Sequence, residues 1–315
     1  MNFSKTSCAR MLILFAISVG LPILGEEPAS SSIKIDNFSV TKNTTAGGDV
    51  DELITNNKLR AESGSKSKFS LATAFSYDGG SLEKPLEAQR PNIQGVAGTT
   101  DVADINGQIN AKYNMTPRDS LLLGGGLRWI SPLQGGKRPA DYDGQLFDAF
   151  DPNLLYQRIY KFSGIQSYYQ VGPTVYTRSD VVKKGFVANA SISNVNAYEV
   201  GKTGLTLGLE TQFQYGYFNP GVKPHQADYV MFLYPYLEFS FTDKVNFRTV
   251  SFLLEYEHSR GTPNSTWLKG KVLQSVGIGI SVTRDIFLYP NVQFIPDDIR
   301  AGNTNVGLAA NVNAF

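Results

Sequence analysis

The sequence predicts an all-β chain that closes into a transmembrane, antiparallel, up-and-down β-barrel of about twelve strands. Three observations predict it. Segments of roughly ten residues alternate polar and apolar side chains from Lys68 to the C-terminus. Tight turns and long loops alternate between those segments. An apolar run near the N-terminus has the length and flanks of a secretory signal.

The N-terminal stretch MNFSKTSCAR carries Lys5 and Arg10 and no acid. MLILFAISVGLPILG follows, with Pro22 and Gly25 near its end, so residues 1–25 read as a signal peptide cut near Gly25. Ile23 is bulkier than the small residue usual at such a site. As an uncleaved anchor the run is short and holds a proline. Cys8, the single cysteine, precedes the run, so no disulfide supports the mature fold. Residues 26–67 are rich in Ser, Thr, Asn, Asp and Lys and read as a flexible periplasmic leader, with a plug entering the domain behind it as the alternative. Within it, DVDELITNNKLRAE (Asp49 to Glu62) has the makings of a short helix with Leu53, Ile54 and Leu59 loosely on one side.

Residues 68–315 form the barrel. KFSLATAFSY puts Phe69, Leu71, Thr73, Phe75 and Tyr77 on one face. DINGQINAKYN sets Ile105, Gly107, Ile109, Ala111 and Tyr113 against Asp104, Asn106, Gln108, Asn110, Lys112 and Asn114. SLLLGGGLRWI aligns Leu121, Leu123, Leu127 and Trp129 opposite Arg128. NLLYQRIYKF (Asn153 to Phe162) alternates least cleanly and is admitted as a strand partly because barrels of this kind have even strand numbers. GIQSYYQVGPTVYT follows, and then GFVANASISNVNAY, which loses phase near Asn194, where we expect a bulge. LTLGLETQFQYGY and YVMFLYPYLEFSF alternate throughout. NFRTVSFLLEYEH sets Val250, Phe252, Leu254 and Tyr256 opposite Thr249, Ser251, Glu255 and Glu257. KVLQSVGIGISVT, IFLYPNVQFI and NVGLAANVNAF complete the set.

The polar faces decide which side is inside. So many Gln, Asn, Ser, Thr, Glu and Lys side chains have no place in a dry core, where each needs a partner. Facing a wet lumen they need none, and the apolar faces then meet lipid, with Tyr77, Tyr113, Trp129, Tyr217, Tyr229, Tyr256 and Phe294 as interface belts. A soluble two-sheet sandwich would show the same alternation but not the signal, the loop asymmetry or the strand-end aromatics. Pro173, Pro235 and Pro290 fall on the apolar face within strands, which favours strand ends or bulges there.

Residues 68–315 resemble bacterial outer-membrane β-barrel proteins of the porin-like kind. Phe315, ending the last strand, is similar to the signal that barrel-assembly machinery reads in that group. The positions two and four before it, usually apolar, are Asn313 and Asn311, a departure that a bulge near Ala314 would repair. The resemblance implies a bacterial outer-membrane location, with membrane lipid and the assembly machinery as partners.

Composition narrows the chemistry. Net charge is +1 and charged residues are 18%, with no block of Lys or Arg, so no nucleic-acid partner is implied. Mean hydropathy is slightly negative at -0.18, which excludes a helical membrane protein. Only two histidines occur. His225 is followed by Gln226 and Ala227, and His258 directly by Ser259; neither matches a lipase-like arrangement of base and nucleophile. His225 with Asp228 is the nearest approach to an acid–base dyad. Nothing in the spacing points to a metal or cofactor, and no enzyme activity is expected. The triplet Gly124 to Gly126 lies mid-strand and lets the strand bend or something approach its face closely. The lumen is the better place to look, and Lys112, Arg128, Glu210, Glu238, Glu255, Glu257, Tyr168, Tyr234 and Tyr236 are the candidate pore-lining residues. The expected function is a channel for passive diffusion of small hydrophilic solutes. A non-conducting structural, surface-display or adhesion barrel and a rim-sited lipid or peptide hydrolase are the alternatives.

Overall fold

The computed structural model describes residues 54–93, 102–135, 145–219, 221, 227–252, 254–259, 267–269 and 272–315. The expected signal peptide, residues 26–53 of the expected leader, and His225 lie outside the described residues, as do the side chains of Phe252, Leu254 and Glu255.

Twelve antiparallel strands close into a barrel. They are β1 (Phe69–Ser81), β2 (Asp104–Asn114), β3 (Asp119–Ile130), β4 (Phe147–Phe162), β5 (Ile165–Val175) and β6 (Phe186–Glu199). The second half comprises β7 (Leu205–Phe218), β8 (Ala227–Ser240), β9 (Val245–Phe252 and Leu254–Ser259), β10 (Trp267–Lys269 and Leu273–Thr283), β11 (Ile286–Phe294) and β12 (Asn305–Ala314). Each strand pairs with the next in sequence, and β12 returns to β1 through pairs such as Leu71–Ala314 and Tyr77–Leu308. Closure satisfies the ladder without leaving an edge, as lipid requires. The strands join at one end by tight turns, as at Ser163 and Gly164, where both φ angles are positive (49° and 83°) as in a two-residue hairpin turn. The connections at the other end are long.

The outer face is apolar and exposed along its height, with Leu121, Leu123, Val171, Leu207, Leu209, Ile278 and Leu308 among the exposed side chains. Aromatic side chains crowd both rims: Phe69, Tyr113, Phe162, Tyr198 and Phe239 at the turn end, Trp129, Phe147 and Tyr217 at the loop end. This is the surface of a barrel in a bacterial outer membrane.

Several sequence expectations are corrected. β4 begins at Phe147, not Asn153, and a bulge sits at Asp151 (φ 50°), where the pairing to β3 shifts between Gly124 and Gly126. β6 has no bulge near Asn194; its pairing to β5 runs unbroken from Ile165–Tyr198 to Val175–Ala188. The bulge lies in β9 instead, where the register against β8 moves by one residue between Val250 and Leu254. Below it Val250 points inward, and Thr249 and Ser251 point outward, the reverse of the expectation. Pro173, Pro235 and Pro290 all sit within continuous pairing and face outward. β12 pairs regularly through Ala314, so no bulge brings Asn311 and Asn313 into an outward set; both face inward.

Among the described residues a short helix, α1 (Asn57–Ser63), precedes the barrel in sequence. Asn56 caps it, its side chain accepting from the Leu59 N–H at 3.0 Å, and Gly64 ends it at φ 90°. Seven residues are too few to hold a helix in water unaided, so α1 depends on what it packs against. A second short helix, α2 (Ser179–Val182), lies in the connection between β5 and β6.

Candidate functional site in the barrel lumen

α1 lies inside the turn end of the barrel. Its side chains Leu59 and Ala61, and Ile54 just before it, are fully buried. Ile54 and Leu59 share one apolar cluster with Ile159 (β4), Tyr168 (β5), Val195 and Ala197 (β6), Tyr236 (β8) and Val250 (β9). Ala61 packs with Phe287 and Tyr289 of β11 and Ala309 of β12.

Polar groups of the wall bind the backbone of the segment. Gln166 accepts from the N–H groups of Thr55 (2.7 Å) and Asn56 (2.8 Å). Lys112 and Gln157 donate to the Ser63 carbonyl, Arg284 to that of Gly64 at 2.9 Å, and Asn313 to that of Ala61. Asn114 donates to the carbonyls of Ser65 and Ser67. Side chains of the segment answer in kind: Asn56 donates to Glu238 at 2.7 Å, Thr55 to Glu199 at 2.7 Å, and Asn57 to the Asp243 carbonyl in the β8–β9 turn. Lys58 pairs with Glu62 at 2.6 Å and with Glu210 of β7 at 3.6 Å. Burial raises the Glu62 carboxyl above the usual carboxylate range, against the attraction of Lys58 and with Glu210 pushing the same way.

At this level the wall reverses its own pattern. Val195 and Ala197 of β6 point inward to the apolar cluster, so Asn194 and Asn196 point toward lipid. These two bond each other and are joined by Ser167 Oγ (2.7 Å to Asn196) and Tyr160 Oη (3.2 Å from Asn194). In β9, Val250 points inward, and outside it Ser251 donates to Gln274 at 2.7 Å while Gln274 donates to Thr249. Polar side chains turned away from water must satisfy one another, and here they do.

Beside the segment Arg248 is fully buried, bonded to Glu238 and stacked over the Tyr236 ring at 4.2 Å. Tyr289 Oη donates to its carbonyl at 3.2 Å. Above the segment the inner wall opens: Gln108 and Ala74, both inward by register, are exposed. At the loop end Asp104 pairs with Arg128 (2.5 Å), Asp78 with Arg90 (3.7 Å), and Asn106 donates to both carboxylates.

Of the candidate pore-lining residues, Lys112, Arg128, Glu210, Glu238, Tyr168, Tyr234 and Tyr236 lie on the inner face. Most of them touch the luminal segment or its surroundings rather than open water. Glu257 pairs with Val230 and so shares the inner face by register, while only the backbone of Glu255 is described. Phe315 is 85% exposed beyond β12. Sequence reasoning did not find Arg248, the largest fully buried side chain among the described residues, nor Gln166 and Asn313, which grip the segment. The inward phase of β9 below its bulge was the signal for Arg248, and it was concealed by the bulge.

Asp228 pairs with His258 (2.5 Å) across the β8–β9 pairing, where a register shift turns Asp228 toward it. The imidazole packs against Tyr229, an outward residue, at 5.6 Å, so this dyad stands outside the lumen. Among the described residues no group of three or more His, Cys, Asp or Glu is gathered as metal ligands would be.

No protein-family model matches the chain. No curated protein matches it in sequence. Solved structures do match. An outer membrane channel from Pseudomonas putida F1 aligns at TM-score 0.49 and 12% identity over 80% of this chain and 98% of its own. The porin NanC aligns at TM-score 0.40 and 8% identity, over 78% of this chain and 98% of its own. The outer membrane phospholipase A from Escherichia coli aligns at TM-score 0.37 and 12% identity, over 78% and 90%. At such similarity the likeness carries no function, and the functional reading rests on the barrel's own geometry.

Proposed function

We propose that the chain is an outer-membrane channel through which small hydrophilic solutes diffuse passively. The observation that carries this is the exposed inner wall at Gln108 and Ala74: midway through the barrel the polar face meets accessible space rather than packed side chains. Solutes enter from the loop end past Arg128–Asp104 and Arg90–Asp78, opposed charges that favour no ion of one sign strongly. Glu257, on the inner face by register, weights the lumen toward cations. Export by residues 1–25, and recognition of the last strand and Phe315 by the assembly machinery, belong to the same reading. No catalytic step is part of it.

Reconstitution into planar bilayers tests it. Stepwise current increments that follow insertion of the folded chain are expected, with a modest cation preference that shrinks in Glu257→Gln. A folded barrel that inserts and carries no current under any condition removes the reading.

A further inference from the structure

We infer that residues 54–68 are a releasable plug, a peptide bound in cis at the turn end of the lumen, and that its departure opens the channel. The inference deepens the channel reading and rests on it.

The segment crosses the lumen. It meets β2 through Lys112 and Asn114, β4 through Gln157, β5 through Gln166, β6 through Glu199, β7 through Glu210, β8 through Glu238 and β12 through Asn313. A solute leaving by the turn end has this segment in its way.

The wall is built to hold it. The inward apolar residues Ile159, Val195, Ala197 and Val250 would face water in an open barrel, and placing them inward turns Asn194, Asn196, Thr249 and Ser251 toward lipid. That reversal makes sense only if an apolar ligand fills the site in the resting state. The ligand class is written in the contacts. It is a short extended-then-helical peptide with two apolar side chains five residues apart, Ile54 and Leu59, read mainly through its backbone carbonyls and N–H groups.

The same contacts permit release. Most of the polar ones are hydrogen bonds to backbone groups, each of modest net strength once water can take its place. On its C-terminal side the segment runs through 64–68 into β1, where Gly64 adopts a positive φ of 90° and residues 66–68 are exposed. Those residues give a hinge about which α1 can swing out through the turn end.

A reversible tether tests this in the full chain. In a Cys8→Ser background, Ala61→Cys and Ala309→Cys, neighbours in one cluster, join the segment to β12 on oxidation. Conductance is read in planar bilayers with urea too dilute to unfold the barrel, whose closure is checked by heat-modifiable gel mobility. The untethered companion Leu59→Asp puts a charge in the apolar seat. The expected result is little current when oxidised, recovery on reduction, and a severalfold rise over the wild type in Leu59→Asp. Equal non-zero currents in the oxidised and reduced forms overturn the plug while leaving the channel standing. Folded barrels that are silent in every form, Leu59→Asp included, overturn the channel reading and the plug with it.

Discussion

At the scale of single residues, two charges show what the lumen demands. Arg248 is surrounded by Glu238, Tyr236 and Tyr289, and Glu238 also receives Asn56 of the luminal segment. Removing one partner of a buried pair leaves a charge uncompensated. Glu238→Ala should therefore lower barrel stability by about 3–5 kcal/mol, read as a lower urea midpoint in detergent, while replacing both members by apolar residues of similar volume should cost much less. A midpoint unchanged in the single variant would mean that water, not Glu238, satisfies the guanidinium. Glu62 makes a different prediction. Its carboxyl titrates above the ordinary range while the segment is seated, and in the ordinary range once released. Protonation therefore favours seating, fully so below the ordinary range, and the advantage is lost as pH rises through the raised one. The groups facing it are Lys58 on its own helix, Glu210 from β7, Arg248 from β9 and Tyr168 from β5. Open probability should fall as pH is lowered from neutral toward the ordinary carboxylate range, and Glu62→Gln should flatten that part of the profile. Alternation in the sequence placed Lys112, Glu210 and Tyr168 on the inner face, but it says nothing of neighbours. That Lys112 would donate to the Ser63 carbonyl depends on where a segment 49 residues earlier comes to rest.

At the scale of elements, the legible strands were those that keep one phase along their whole length. β2, β7 and β8 do so, and their alternation gave their faces without error. In β4, β6 and β9 the alternation changes sides, at bulges in β4 and β9 and, in β6, where Val195 and Ala197 face the apolar end of the luminal segment. The lost phase at Asn194 looked like an inserted residue. It is a regular strand whose inner surroundings change from water to Ile54 and Leu59. In β9 a true bulge went unnoticed, since Val250 and Leu254 lie four apart and keep step through it on paper. Gly126 illustrates the other limit of local reading. A Cβ there would lie 2.4 Å from the Phe150 ring, so the glycine is needed for a close approach from β4 that the triplet alone did not specify. The element scale yields a contrast of two wall variants. Val195→Gln, which restores the polar-inward code of β6, should loosen the segment and raise conductance while the barrel stays intact. Leu123→Arg, outward and mid-strand, should instead destabilise the folded barrel by roughly 2–4 kcal/mol in lipid, with no direct effect on the lumen. Equal effects of the two on folding and on current would contradict the inside and outside assigned here.

At the scale of the whole molecule, closure, strand number and the asymmetry of the two ends were all readable from recurring ten-residue alternation and connector lengths, because both are set by membrane thickness and strand tilt rather than by tertiary detail. The filling of the lumen was readable only as the alternative to a flexible leader: the sequence offered a plug and a short helix carrying Ile54 and Leu59, but a segment rich in Ser, Asn and Lys has no signature of burial until a barrel surrounds it. The central claim is that apolar side chains look out at lipid and polar ones in at water. Cysteine accessibility in vesicles tests it most directly. In the Cys8→Ser chain, Gln108→Cys and Leu123→Cys stand near mid-strand on opposite faces of neighbouring strands. A membrane-impermeant maleimide should label Gln108→Cys readily and leave Leu123→Cys unlabelled until the lipid is replaced by denaturant. Labelling of Leu123→Cys in intact vesicles, with Gln108→Cys protected, would turn the barrel inside out and contradict the account.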